Sequence, residues 1–158
     1  MSRSIGERKM LFLSFMKNGK IMIVDDDPKL SRLMSVILDR VGGYTLCEEN
    51  RPSAAFKTAK AFQPDLILMD VDMPGKNGGE IASEIGRDPS MAGTPIIFVT
   101  SLVSRKEAGH YNGKRFMSKP VDPHLLLKTV REVLHLPMDG SAAAGEGYGL
   151  AGSNLGMQ

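Results

Sequence analysis

The chain has 158 residues, 42% of them hydrophobic and 24% charged, which suits one packed domain and excludes disorder throughout. Its 20 Lys and Arg against 18 Asp and Glu leave a net charge of +2, so composition marks out neither a nucleic-acid nor a membrane surface. A single cysteine, Cys47, excludes an internal disulfide and suits a reducing, cytoplasmic setting, and its apolar neighbours assign it to core filling.

Residues 1–17 read as an N-terminal extension. Within it "MLFLSFM" (10–16) follows Arg8 and Lys9, but no A-x-A cleavage motif comes after it and it is far too short to span a bilayer. Met16 is an alternative start, because a strand opens soon after it. That strand is "KIMIV" (20–24), followed by Asp25-Asp26-Asp27-Pro28. Asp27 is placed as an N-cap and Pro28 at the first helical position. Leu30, Leu33, Met34, Ile37, Leu38 and Val41 then recur at helical spacing until Gly42-Gly43. "YTLCE" (44–48) is the second strand, and residues 52–62 a second helix with Ala55, Ala59 and Phe62 inward. Gln63-Pro64-Asp65 turns into a third strand, "LILM" (66–69).

A third helix is expected over 79–87, with Ile81, Ala82 and Ile85 inward and Asp88-Pro89 beyond it. "PIIFVT" (95–100) is the fourth strand, residues 103–109 a short helix, and "KRFMSK" (114–119) the fifth strand. Asp122-Pro123 repeats the capping device before a helix with Leu126, Leu127, Val130, Val133 and Leu134 on one face. Residues 137–158, rich in Gly, Ala and Ser, read as a flexible tail, leaving a folded domain at 18–136. Short apolar strands alternating with helices predict an α/β fold with a parallel sheet covered on both faces and right-handed crossovers.

In such a sheet, ligands bind beyond the carboxyl ends of the strands. The polar residues of interest fall there: Asp25 and Asp26, Asp70, Thr100 and Ser101, and Lys119, from four of the five strands. Each alone is weak, since Asp and Ser commonly cap helices and Lys is commonly solvated. Together they imply a clustered carboxylate site whose repulsion a divalent cation would relieve. Mg²⁺ takes one or two carboxylates, waters and a phosphate oxygen. With Lys119 and a hydroxyl beside it, such a carboxylate suits phosphoryl chemistry.

The motifs "IVDDDP", "LILMDVDMPGKNG", "PIIFVTS" and "RFMSKP", in that order over residues 20–135, resemble the receiver domain of two-component response regulators. The resemblance implies a flavodoxin-like (βα)5 sheet of order 2-1-3-4-5 and a single-domain regulator of chemotaxis-regulator type. It implies Asp70 as phosphoacceptor, Asp26 as direct ligand of Mg²⁺ (or Mn²⁺), Asp25 as its ligand through water, and Asp72 as a ligand through its backbone carbonyl. Thr100 is the implied switch hydroxyl, Ser101 its small neighbour, Lys119 the phosphate-binding lysine, and Phe116 the switch aromatic. Lys119-Pro120 matches a peptide bond that is usually cis. Asp72 and Leu102 occupy positions that tune loss of phosphate.

The donor implied is a histidine kinase or histidine phosphotransfer protein. Catalysis would be limited to the chain's own phosphorylation and dephosphorylation. With only the tail after the last helix, output is expected by contact with an unknown protein target. Neither nucleic acid nor membrane is an expected partner, and a monomer or weak dimer is expected. From Thr100 to Lys119 is 19 residues, about one helical turn shorter than usual. The fourth helix is therefore expected to be shortened or irregular.

Two alternatives stand beside this. "LILMDVDM" also resembles the D-x-D strand of haloacid-dehalogenase-type phosphatases, in which Asp70 would be nucleophile and Asp72 general acid. That motif normally ends the first strand, however, and here a whole strand and acidic cluster precede it. The other is a receiver-like binding module that signals without phosphate, against which the intact Asp26, Asp70, Thr100 and Lys119 argue. His110, His124 and His135 show no metal spacing, and His124 and His135 read as exposed helix residues.

Overall fold

The computed structural model describes residues 18–135 apart from Gly42, Arg105 and Asn112. The expected extension (1–17) and tail (137–158) lie outside the described residues, as does Gly42 of the expected helix stop. The elements in chain order are β1 (Gly19–Val24), α1 (Pro28–Val41), β2 (Tyr44–Glu49), a 3₁₀ turn (Pro52–Ala54) leading into α2 (Ala55–Phe62), β3 (Leu66–Asp70), α3 (Gly78–Arg87), β4 (Ile96–Thr100), β5 (Gly109–Tyr111), β6 (Lys114–Ser118) and α4 (Pro123–Val133).

The sheet order is β2-β1-β3-β4-β6-β5. The first five strands of that order are parallel, as the alternating pattern predicts, and reproduce the 2-1-3-4-5 order with β6 as the fifth parallel strand. Successive side chains of β3 go to opposite faces. Leu66 and Leu68 join a core with Met34, Ile37 and Leu38 of α1 and Leu126 and Val130 of α4. Ile67 and Met69 join a second core with Ala55 and Ala59 of α2 and Ile81 and Ile85 of α3. All five β3 residues are buried, which is why the strand is uniformly apolar up to Asp70.

Three local expectations need correcting. The helix expected over 103–109 is absent among the described residues. A single turn forms instead, in which Glu107 and Ala108 donate to the Ser104 carbonyl and Ser104 N–H donates to the Glu107 carboxylate at 2.9 Å. The chain then folds back as β5, pairing antiparallel with β6 (Tyr111 opposite Lys114), so the sheet has six strands. In this hairpin Gly113, just before β6, has φ 73°, the left-handed conformation that tight hairpin turns favour. Leu33 and Val41, assigned to the apolar face of α1, are 50% and 37% exposed, whereas Ser31 and Ser35 are buried. His135 lies beyond α4 rather than on it.

Candidate functional site

Strand register brings the site together. Val24 of β1 lies opposite Met69 of β3, Asp70 opposite Val99 of β4, and Thr100 opposite Ser118 of β6. The residues at or just past those ends, Asp25, Asp70, Thr100 and Lys119, therefore share one level of the carboxyl rim. Carboxylate oxygens of Asp25, Asp26 and Asp70 lie within 4.8 Å of one another. Asp25 and Asp70 are buried (1% and 4% exposed), while Asp26 is open to solvent. Three oxygen donors at that spacing, one of them accessible, fit a small hard cation that keeps several waters.

Lys119 enters from β6. Its Nζ lies 3.0 Å from Asp25 Oδ2 and 3.1 Å from Asp70 Oδ1. The Lys119 N–H also donates to the Thr100 carbonyl at 2.9 Å, and the Lys119–Pro120 peptide is cis. Asp25 uses its other oxygen to accept the Asp27 N–H at 2.9 Å. The Asp25 carboxylate is thus held by both the lysine and a backbone amide.

The electrostatics follow from this crowding. Burial pushes the Asp70 carboxyl above its ordinary range, and the charge of Asp25 adds to the rise. Hydrogen bonds from Lys119 and the Asp72 N–H oppose it without cancelling it. At Lys119 burial pulls the pKa down, but the bonds and charges of both aspartates outweigh it and leave the ammonium more firmly protonated than usual.

The remaining predicted residues divide. Thr100 is buried (1% exposed), and its hydroxyl accepts the Leu102 N–H at 3.1 Å. Ser101 and the Asp72 side chain are exposed. Phe116 is half-buried and stacks on Phe98 with ring centroids 5.3 Å apart. Phe116 thus sits on β6, two strands over from β3 with β4 between them, rather than within the acidic cluster.

The end of β2 also contributes, which the sequence reading left out. Asn50 donates from Nδ2 to the Asp25 carbonyl at 2.7 Å and to Ser31 Oγ at 2.8 Å. This bond braces the acidic strand end and explains why Ser31 takes an inward position on α1. Asp27 accepts the Lys29 N–H at 2.9 Å, the capping role expected of it.

The loop after β3 completes the rim. Met73 is buried in the second core, and the Gly78 N–H donates to the Val71 carbonyl at 3.0 Å. Asn77 and Glu80 form a reciprocal capping box that fixes where α3 begins.

The response regulator receiver domain model matches residues 21–131. Protein PilH of Pseudomonas aeruginosa is 34% identical over 119 residues, which make up 73% of this chain and 98% of PilH. The DNA-binding dual master transcriptional regulator RpaA of Synechocystis is 31% identical over 73% of this chain but only 48% of its own length. The chain spans about half the length of such DNA-binding regulators. Among solved structures, chemotaxis protein CheY4 of Vibrio cholerae superposes with a TM-score of 0.63 at 27% identity, covering 72% of this chain and 97% of CheY4. A putative response regulator of Chloroflexus aurantiacus, at 22% identity and a TM-score of 0.64, covers 74% of this chain and 98% of its own and shares the fold. By fold, motif order and family match together, the chain belongs to the response regulator receiver domain family of two-component signalling.

Proposed function

We propose that the chain is a phospho-accepting regulator in which Asp70 receives a phosphoryl group from a phosphohistidine donor. One observation carries the reading. A single ammonium, Lys119, bridges two buried carboxylates whose oxygens lie within 4.8 Å of a third, exposed one. That arrangement concentrates charge where a phosphoryl group and a divalent cation would both be held.

In the proposed reaction an Asp70 carboxylate oxygen forms a bond to phosphorus as the donor's P–N bond breaks. The leaving imidazole keeps the bonding electrons and takes up a proton. Burial makes Asp70 more basic than an ordinary carboxylate, which favours attack. Lys119 then exchanges its contact with Asp70 for the phosphoryl oxygens. The Thr100 hydroxyl turns from the Leu102 N–H toward the same group. Asp26, Asp70 and the Asp72 carbonyl are the proposed holders of Mg²⁺ (or Mn²⁺), with Asp25 acting through water. When bound, the cation would neutralise the excess carboxylate charge and the charge developing on the transferred group.

The donor class is a histidine kinase or histidine phosphotransfer protein. The output is contact with a downstream protein, made by the receiver domain in the cytoplasm. Among the described residues no helix is long and apolar enough to cross a membrane. Catalysis extends only to the chain's own phosphorylation and dephosphorylation, with Asp72 and Leu102 setting phosphate lifetime. The side chains of both are exposed beside the rim. Asp72→Asn is expected to change the decay rate but not attachment.

Incubation with acetyl phosphate and Mg²⁺, read by intact mass, tests the reading. One added phosphoryl group is expected, not formed when Mg²⁺ is omitted and absent in Asp70→Asn. No added mass, or steady turnover of a small phosphate ester abolished by Asp72→Asn, would overturn it.

A further inference from the structure

Gly78 is the first residue of α3 and is buried. A Cβ built there would collide with the carbonyl oxygen of Asp70, and would lie 3.0 Å from the Asp70 carbonyl carbon and 2.9 Å from Met69 Cγ. The start of α3 thus rests on the backbone of the one residue whose side chain is proposed to react. Nothing in the local backbone asks for glycine on conformational grounds. The requirement is close approach.

The surrounding geometry leaves little room for the clash to be absorbed elsewhere. The Gly78 N–H is tied to the Val71 carbonyl at 3.0 Å, closing the loop 71–77 on itself. The Asn77–Glu80 capping box fixes the helix start from the other side, and the buried Met73 anchors the loop in the core. That loop carries Asp72, whose N–H bonds the Asp70 carboxylate. β3 is paired on both sides and buried along its length. A side chain at position 78 must therefore shift the Asp70 carbonyl, the loop bearing Asp72, or both.

We propose that Gly78 is a positioning residue, whose missing side chain sets the spacing between Asp70 and Asp72 on β3 and the Asp25 and Asp26 carboxylates on β1. This rests on the reading of those residues as one metal and phosphoryl site. Gly86, also on α3, is the control, because a Cβ there meets nothing within 4 Å.

The experiment titrates the full chain with Mg²⁺ by calorimetry and follows phosphorylation by acetyl phosphate as its concentration varies. Gly78→Ala is expected to weaken Mg²⁺ binding about 10–100-fold, the range seen when supports of metal ligands are removed. It should also slow phosphorylation at saturating acetyl phosphate rather than merely raise the concentration needed. Gly86→Ala should match the wild type in both. Adding Met69→Ala to Gly78→Ala removes the side-chain contact but keeps the clash with the Asp70 carbonyl, so binding should stay weak.

Wild-type affinity in Gly78→Ala, or in the double variant, would overturn the proposal. A wild type that binds no Mg²⁺ would instead sink the reading of the site, and this inference with it. Should Gly78→Ala not fold, the wild type still decides. The amide resonances of Gly78 and Asp72 should both shift as Mg²⁺ saturates the site, and an unmoved Gly78 resonance would contradict the proposal.

Discussion

The two halves of the sheet are built to different standards. At β2-β1-β3, helices lie on both faces, and Ile21, Met22, Ile23, Leu66, Ile67, Leu68 and Met69 have no exposed surface. Toward β6 and β5, α4 packs on one face, but among the described residues no helix forms between β4 and β5 to cover the other. There Phe116 is half-buried, Leu102 is 72% exposed and Tyr111 is 67% exposed. The acidic residues of the site stand on the first half, and Thr100 and Lys119 reach it from the second. The comparison teaches that the site depends on strand ends and their register. Loss of one covering helix leaves it assembled because β4 and β6 stay paired at Thr100 and Ser118.

Core truncation should expose the difference most strongly. Leu68→Ala removes a fully buried side chain between α1 and α4 and is expected to cost about 2–5 kcal/mol in urea unfolding. Tyr111→Ala should change stability by no more than about 0.5 kcal/mol, as for an exposed residue away from special features. Comparable losses from the two would mean that the hairpin is packed by something beyond the described residues.

Next in size are the links across the halves. Lys119→Met strips the counter-charge from two buried carboxylates and is expected to cost about 1–3 kcal/mol at neutral pH without metal. Asp70→Asn should act oppositely. The raised pKa of Asp70 means that the stability it contributes is full below the unfolded carboxylate value, about 3.9, and is lost as pH rises through the folded value. The metal-free Asp70→Asn variant should therefore melt at a higher temperature than the wild type at pH 7, with the gap closing in acid. A lower melting temperature at pH 7 would break the account of crowded carboxylates.

The hairpin turn gives a smaller effect. Gly113→Val forces a branched residue into a left-handed conformation and should cost about 1–2 kcal/mol. Mg²⁺ affinity should be unchanged, since the turn lies away from the rim. Smallest is the surface pair at Asp88. Its bonds from Lys60 and Ser90 lower its pKa from 3.8 to about 2. Its contribution is present above about pH 4 and lost as pH falls toward 2. Asp88→Ala should flatten the acid limb of the stability curve over that window, leaving the variant slightly less stable than the wild type at pH 7 and matching it as pH falls toward 2.

Much of this was legible in the sequence because local chemistry and tertiary structure agree there. Uniformly apolar strands gave the parallel sheet, and Asp27-Pro28 and Asp122-Pro123 gave the helix starts. Strand ends then gave the rim, since parallel strands place all their carboxyl ends on one side. The misses have physical causes. Helical spacing cannot tell Leu33 from Ser31 as the inward residue. That choice follows from Asn50, which links the Ser31 hydroxyl to the Asp25 carbonyl from a different strand.

The short helix expected over residues 103–109 gives way to a turn and β5. The better signal was "YNGK": Asn112-Gly113 is the dipeptide that two-residue hairpins favour. The requirement at Gly78 was invisible, because close approach to a carbonyl eight residues earlier leaves no mark in sequence.

The division of labour among four aspartates is the central claim, and locating the phosphoryl group tests it most directly. The wild type would be phosphorylated with acetyl phosphate and Mg²⁺, the acyl phosphate trapped by borohydride reduction, and the reduced residue found by peptide mass spectrometry. The account predicts reduction at Asp70 alone, with Asp25, Asp26 and Asp72 intact. A reduced residue at any of those three positions would contradict it.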